Sequence, residues 1–197
     1  YLVNGLEYDH TTGTLYATTS IKDDTAPNSL ISIAMDTGAG TVIGAAGRRV
    51  NNPTVNSSGD LFGWTEGITK SEDNLVRFDK GTGTATVVGD NGFSNSHRHG
   101  LAFDNSDTLY LVNGDGTLYS VNETTGALTE IGDIGLPEVD GDKPDHHGDV
   151  DPDTGLYYGI SSIAWEGGNR SLITIDLANQ IVGSTLGTDS VKLHTLT

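Results

Sequence analysis

The sequence predicts an all-β fold, a β-propeller built from four four-stranded blades, and three observations predict it. One strand-rich pattern runs through the 197 residues four times, with anchors Tyr8, Val55, Phe103 and Val150 spaced 47 or 48 residues apart. The 27 glycines, about twice the usual share of roughly 7%, are spread along the whole length with abundant Thr, Asn, Asp and Ser, which is turn chemistry rather than a linker. No amphipathic segment of helical length occurs.

Each unit opens with an inner strand, a turn and a second strand. Gly5–Asp9 leads through Thr12-Gly13 to Thr14–Ala17, and 52–56 leads through Ser58-Gly59 to Asp60–Gly63. Gly100–Asp104 leads to Thr108–Leu111, and Gly148–Asp151 leads through Thr154-Gly155 to Leu156–Tyr158. The third strands are the β-rich runs Leu30–Ile33, Leu75–Phe78, Leu118–Val121 and Leu172–Ile175. Outer strands ending in glycine follow at Thr41–Gly44, Thr84–Gly89 and Leu128–Gly132, while the fourth unit keeps only Gln180–Gly183. Runs this apolar suit strands buried on both faces, as propeller blades are. A β-sandwich or a solenoid is the structural alternative.

The units give a single domain, 1–197, with blades at about 5–47, 48–92, 93–135 and 136–187 and a tail at 188–197. That tail stops where a fifth inner strand would begin, so the expectation is a small closed ring or part of a larger propeller or assembly. The chain opens on Tyr1 without Met and without a signal peptide, and reads as processed or cut from something longer.

Residues 100–104, 108–110 and 122–132 resemble blades of the secreted bacterial propellers of NHL and YVTN type. The resemblance extends over the whole chain and is generic. It implies the fold and a tendency to export, and no reaction. The WD dipeptide is missing.

A net charge of −17 argues against nucleic acid and against anionic membrane surfaces as partners. No apolar run approaches the length that membrane insertion needs. Cysteine is absent, which removes disulfides and thiolate metal sites. Such acidity fits seawater, high salt or a calcium-rich exterior, and the localisation expected is secreted or cell-surface in a bacterium or archaeon.

The links between blades and between second and third strands, together with the tail, hold eight of the ten basic residues, among them Arg48, Arg49, Arg98 and Arg170, and five of the six histidines. One reading is capture of an anionic glycan by this loop face, with Trp64 or Trp165 as stacking surfaces. The other is that solvated loops carry charge without a function, since many acids share them. His97-Arg98-His99 and His146-His147 each end a link just before an inner strand, at the mouth of a central channel, where the first two blades carry Asn4 and Asn51 or Asn52. Imidazoles there suit a transition metal or proton transfer. A lyase or hydrolase would use His99 or His146 as base, with Arg98 neutralising substrate charge. The bland alternative is a hydrogen-bonding ring.

Asp149, Asp151 and Asp153 alternate as carboxylates do in calcium loops. Thr154 stands where a calcium loop wants glycine, and the same residues fill the first-to-second-strand turn, which is the preferred reading. Calcium is the one cofactor the sequence suggests.

The function expected is an extracellular, non-enzymatic binding or assembly module, acting on a glycan or another extracellular ligand or by self-association. The alternatives are a carbohydrate-active lyase or hydrolase and a subunit of a surface layer or filament.

Overall fold

The computed structural model describes residues 1–65, 73–89, 99–134, 145–162, 170–177, 179, 181–182 and 187–189. They form four antiparallel up-and-down sheets of the propeller-blade type, and no helix occurs among them. Blade 1 comprises β1 (Val3–Asp9), β2 (Thr14–Thr19), β3 (Ser29–Ile33) and β4 (Gly40–Ala45). Blade 2 comprises β5 (Val50–Val55), β6 (Leu61–Thr65), β7 (Leu75–Phe78) and β8 (Ala85–Val87). Blade 3 comprises β9 (Gly100–Phe103), β10 (Leu109–Val112), β11 (Thr117–Val121) and β12 (Leu128–Asp133). Blade 4 comprises β13 (Asp145–Val150), β14 (Tyr157–Ser162) and β15 (Arg170–Asp176), with an outer edge shared by β16 (Ile181–Val182) and β17 (Gly187–Asp189).

Two expectations change. The outer edge of blade 4 is split: β16 pairs with Ile175 and Asp176, and β17 pairs with Arg170–Leu172. Residues 188 and 189, expected in a tail, therefore belong to the blade. His146 and His147 lie within β13, paired with Ser161 and Ile160, and not in the preceding link. Backbone pairing there runs past the apolar residues that made the repeat visible.

The first turn of every blade is made alike, and its sequence says why. Oδ1 of Asp9, Asn56, Asp104 and Asp151 accepts the backbone N–H two residues on, at 2.8, 3.1, 2.9 and 2.8 Å. A short carboxylate or amide in this place mimics a backbone turn and needs no ligand.

The chain divides into two compact units. One holds blades 1 and 2 with the turn Glu123–Ala127, and the other holds the rest of blade 3 with blade 4. In the first, one core joins Tyr16 and Leu30 of blade 1 to Leu61, Val76, Phe78 and Ala85 of blade 2. In the second, Ala102, Tyr110 and Leu118 of blade 3 meet Tyr157, Ile173 and Ile175 of blade 4. Each buried large side chain contributes about 1.5–3 kcal/mol.

The closing glycines of the repeat also acquire a reason. A Cβ on Gly44 would collide with the carbonyl of Thr82, and one on Gly89 with that of Thr125. The outer strand of one blade thus ends against the backbone of the next Thr-Gly turn, which only glycine permits.

Candidate functional site

The inner strands of each unit start among polar side chains. In the first unit β1 packs against β5, close enough that Gly5 abuts the Pro53 ring and the Asn52 backbone. The contact needs a bulge between Asn51 and Thr54, where Asn52 adopts φ +48°, a left-handed conformation asparagine tolerates. Glu7 Oε1 accepts the Val55 N–H at 2.8 Å and fixes the two strands in register. Asn4 and Asn52 are thereby brought to neighbouring strand starts. Asn52 is buried, and the half-buried Asn4 keeps its amide nitrogen out of solvent with no protein hydrogen bond.

In the second unit β9 packs against β13. Gly100 pairs with Val112, so His99 and Asn113 stand one residue beyond the last pair, both buried. Tyr157 occupies the position that Leu15, Leu61 and Leu109 hold in the other blades. Its larger ring fits because glycine surrounds it: a Cβ at Gly100, Gly148 or Gly159 would collide with it. The Tyr157 hydroxyl is buried beside Gly100 and makes no hydrogen bond. Burial first, and the Asp149 charge second, push its pKa far above the usual phenol range, so it stays a neutral donor.

The remaining sequence candidates are distributed as follows. His147 is half-buried on β13, and pairing puts it on the same face as Ile160 and Leu172. Arg48 is exposed and Arg49 half-buried in the link after β4. His146 and Arg170 are described through their backbone pairing alone, and His97, Arg98 and Trp165 lie outside the described residues. Of the proposed catalytic set, His99 alone has a described side chain. Trp64 is buried, paired across the sheet with Asn51, so it offers no stacking surface.

Asp149 and Asp153 are exposed, and Asp151 spends one oxygen on the Asp153 N–H. That backbone bond, outweighing partial burial, holds the Asp151 carboxyl below its ordinary range. Among the described residues no three His, Asp or Glu side chains converge as a metal site.

Sequence reasoning missed a second concavity, in the first unit. An open pocket of about 730 Å³ is lined by Asp60, Phe62, Arg77, Val87 and Glu123, among others, with Arg77 Nη2 2.5 Å from Asp60 Oδ1. Its residues come from β6, β7 and β8 and from neighbouring turns, whose polar positions carry no pattern.

These features define a protein of propeller blades with polar inner-strand starts. The sequence matches no protein-family model and no curated protein. Its fold is similar to three solved structures from Bacteroides. A structural genomics protein of unknown function from Bacteroides thetaiotaomicron VPI-5482 matches with TM-score 0.58 and 14% identity, over 93% of this chain and 57% of that one. An auxiliary nutrient binding protein from Bacteroides ovatus ATCC 8483 matches with TM-score 0.62 and 11% identity, over 94% and 43%. The extracellular domain of a protein described as a one-component system from B. thetaiotaomicron matches with TM-score 0.51 and 14% identity, over 94% and 25%. The chain thus spans between 25 and 57% of the length of these proteins. At such identities the similarity is one of fold. No helix among the described residues is long and apolar enough to cross a membrane.

Proposed function

We propose that this chain is an extracellular, non-enzymatic module that binds a polar ligand at the inner-strand starts of its blades, with an anionic glycan as the ligand class. The observation that carries this reading is unspent hydrogen-bonding capacity. The Asn4 and Asn113 amide nitrogens and the Tyr157 hydroxyl are buried without a protein partner. Such groups cost about 1–3 kcal/mol each unless something completes them. A ligand's hydroxyls or ordered water can do so, and in the second unit His99 stands with Asn113 one residue beyond the Gly100–Val112 pair. The similar structures support binding in a general way, since one is described as an auxiliary nutrient binding protein and another as an extracellular domain.

A chain of net charge −17 repels an anionic glycan, so calcium enters the proposal as a bridging ion. The test is calorimetry against acidic and neutral oligosaccharides, with calcium and with chelator, for the wild type and for Asn113→Ala and Tyr157→Phe. Binding weakened at least tenfold by either substitution is the expected result. No heat with any glycan sinks the reading. Ultraviolet-absorbing unsaturated products, or new reducing ends, that disappear in His99→Ala would replace it with the lyase or hydrolase reading.

A further inference from the structure

Blades 1 and 2 show what this repeat places between neighbours. Across blade 1, Glu7, Tyr16, Ser32 and Thr41 pair in one row and so share a face. The matching row of blade 2 is Thr54, Phe62, Arg77 and Thr86. Over the first row the chain supplies its own cation. Lys80 of blade 2 reaches back to the Asp9 carboxylate, and its ammonium lies over the Tyr16 ring.

Over the second row the polarity is reversed. Glu123 holds the repeat position of Lys80, each of them two residues past the end of its third strand. Asn56 holds the position of Asp9, and its Nδ2 donates to Glu123 Oε2 at 3.2 Å. Among the described residues no lysine lines this crevice. It holds instead the open pocket of about 730 Å³, within the roughly 300–1,000 Å³ of small-molecule sites. The turn Glu123–Ala127 belongs to the same compact unit as blades 1 and 2, so the pocket lies within one unit.

The charges of the pocket select a cationic guest. Asp60, Asp79 and Glu123 line it against the guanidinium of Arg77, and Arg77 is spent on Asp60. Asp79 gives its Oδ1 to the Gly81 and Thr82 N–H groups at 2.8 and 3.0 Å. Its Oδ2 and Glu123 Oε1 have no protein partner among the described residues. No three acidic side chains there converge as a metal site, so the guest is an extended organic cation rather than a metal ion. We propose that this pocket binds a linear aliphatic polyamine of the spermidine kind. Its ammonium groups meet Glu123 and Asp79, as the Lys80 ammonium meets Asp9 one blade earlier, and its methylenes run along Phe62 and Val87. The pocket is separate from the inner-strand starts, so this site and the glycan site stand or fall independently.

The test is calorimetric titration of spermidine into the intact chain at about 0.15 M salt, which screens loose attraction to the net charge of −17. Saturable one-to-one binding is expected. Glu123→Gln and Asp79→Asn keep the acceptors that Asn56 and the turn need, and each is expected to weaken binding about fivefold. Arg77→Gln frees the Asp60 carboxylate and is expected to tighten it. Far-UV circular dichroism checks that each variant is folded. No saturable heat with the wild type overturns the proposal. So do folded variants that all bind as the wild type does, which would mean that spermidine samples the acidic surface at large.

Discussion

Lys80 Nζ stands 2.7 Å from the Asp9 carboxylate and 2.6 Å from the Gly59 carbonyl, so one ammonium ties together the first turns of two successive blades. The Asp9 side chain is wholly buried, while that of Lys80 is 27% exposed. The same nitrogen lies 5.8 Å from the centroid of the Tyr16 ring. Asp9 is therefore both the organiser of its own turn and the anchor of its neighbour's cation.

Removing the cation strands a buried carboxylate. Lys80→Ala is expected to destabilise the chain by about 1–3 kcal/mol. Lys80→Met, which keeps the apolar stem over Tyr16, is expected to lose less of the packing. Urea unfolding at neutral pH measures both.

The same carboxyl sets the acid limit. Burial raises the pKa of Asp9, but Lys80, the Thr11 and Thr12 hydroxyls and the Thr11 N–H outweigh it and hold the group far below its ordinary 3.8. Asp23 is lowered too, first by the Ala26 N–H and then by the Leu2 N–H. Depressed folded-state values mean the unfolded chain binds more protons below pH 4. The stabilisation is then fully present above about pH 4–5 and fades as pH falls towards the folded-state values. A melting temperature flat above pH 5 and falling steeply below pH 4 is expected. Asp9→Asn lowers the plateau and flattens the acid limb.

The closing glycines are open to a direct test. Gly44→Ala and Gly89→Ala each press a methyl group onto a carbonyl of the next turn. A loss of about 1–3 kcal/mol in chemical denaturation is expected for each. A neutral result would show that the outer strands slide freely on the neighbouring turns.

Tyr157 separates packing from binding. Its hydroxyl has no partner, so Tyr157→Phe is expected to be neutral or to stabilise by up to about 1 kcal/mol. Tyr157→Leu restores the repeat residue but leaves the glycine-lined slot unfilled, at a cost of about 2 kcal/mol or more. Thermal unfolding of the two variants distinguishes these effects, since their signs differ.

The blades were legible in the sequence because each level repeats the same physical demand. Asp9, Asn56, Asp104 and Asp151 recur because the first turn needs a short acceptor, and Leu30, Leu75 and Leu118 recur because the third strand is covered by neighbours. What was not legible depends on contacts between residues far apart in the chain. Lys80 reads as an ordinary loop lysine until Asp9 is found beneath it. Tyr157 reads as one of several Leu-Tyr positions until Gly100 and Gly148 are seen to make room. The histidine pair was placed one segment too early because strand pairing extends through polar residues such as His147 that hydrophobic periodicity cannot see.

The seat of Gly44 on the Thr82-Gly83 backbone has a consequence for how such chains can change. A junction of main chain on main chain is indifferent to most side chains around it. Tandem duplication of one 47-residue stretch would therefore copy a working coupling along with the strands, and a deletion would remove one without leaving a mismatched seam. The number of modules is then free to drift between lineages.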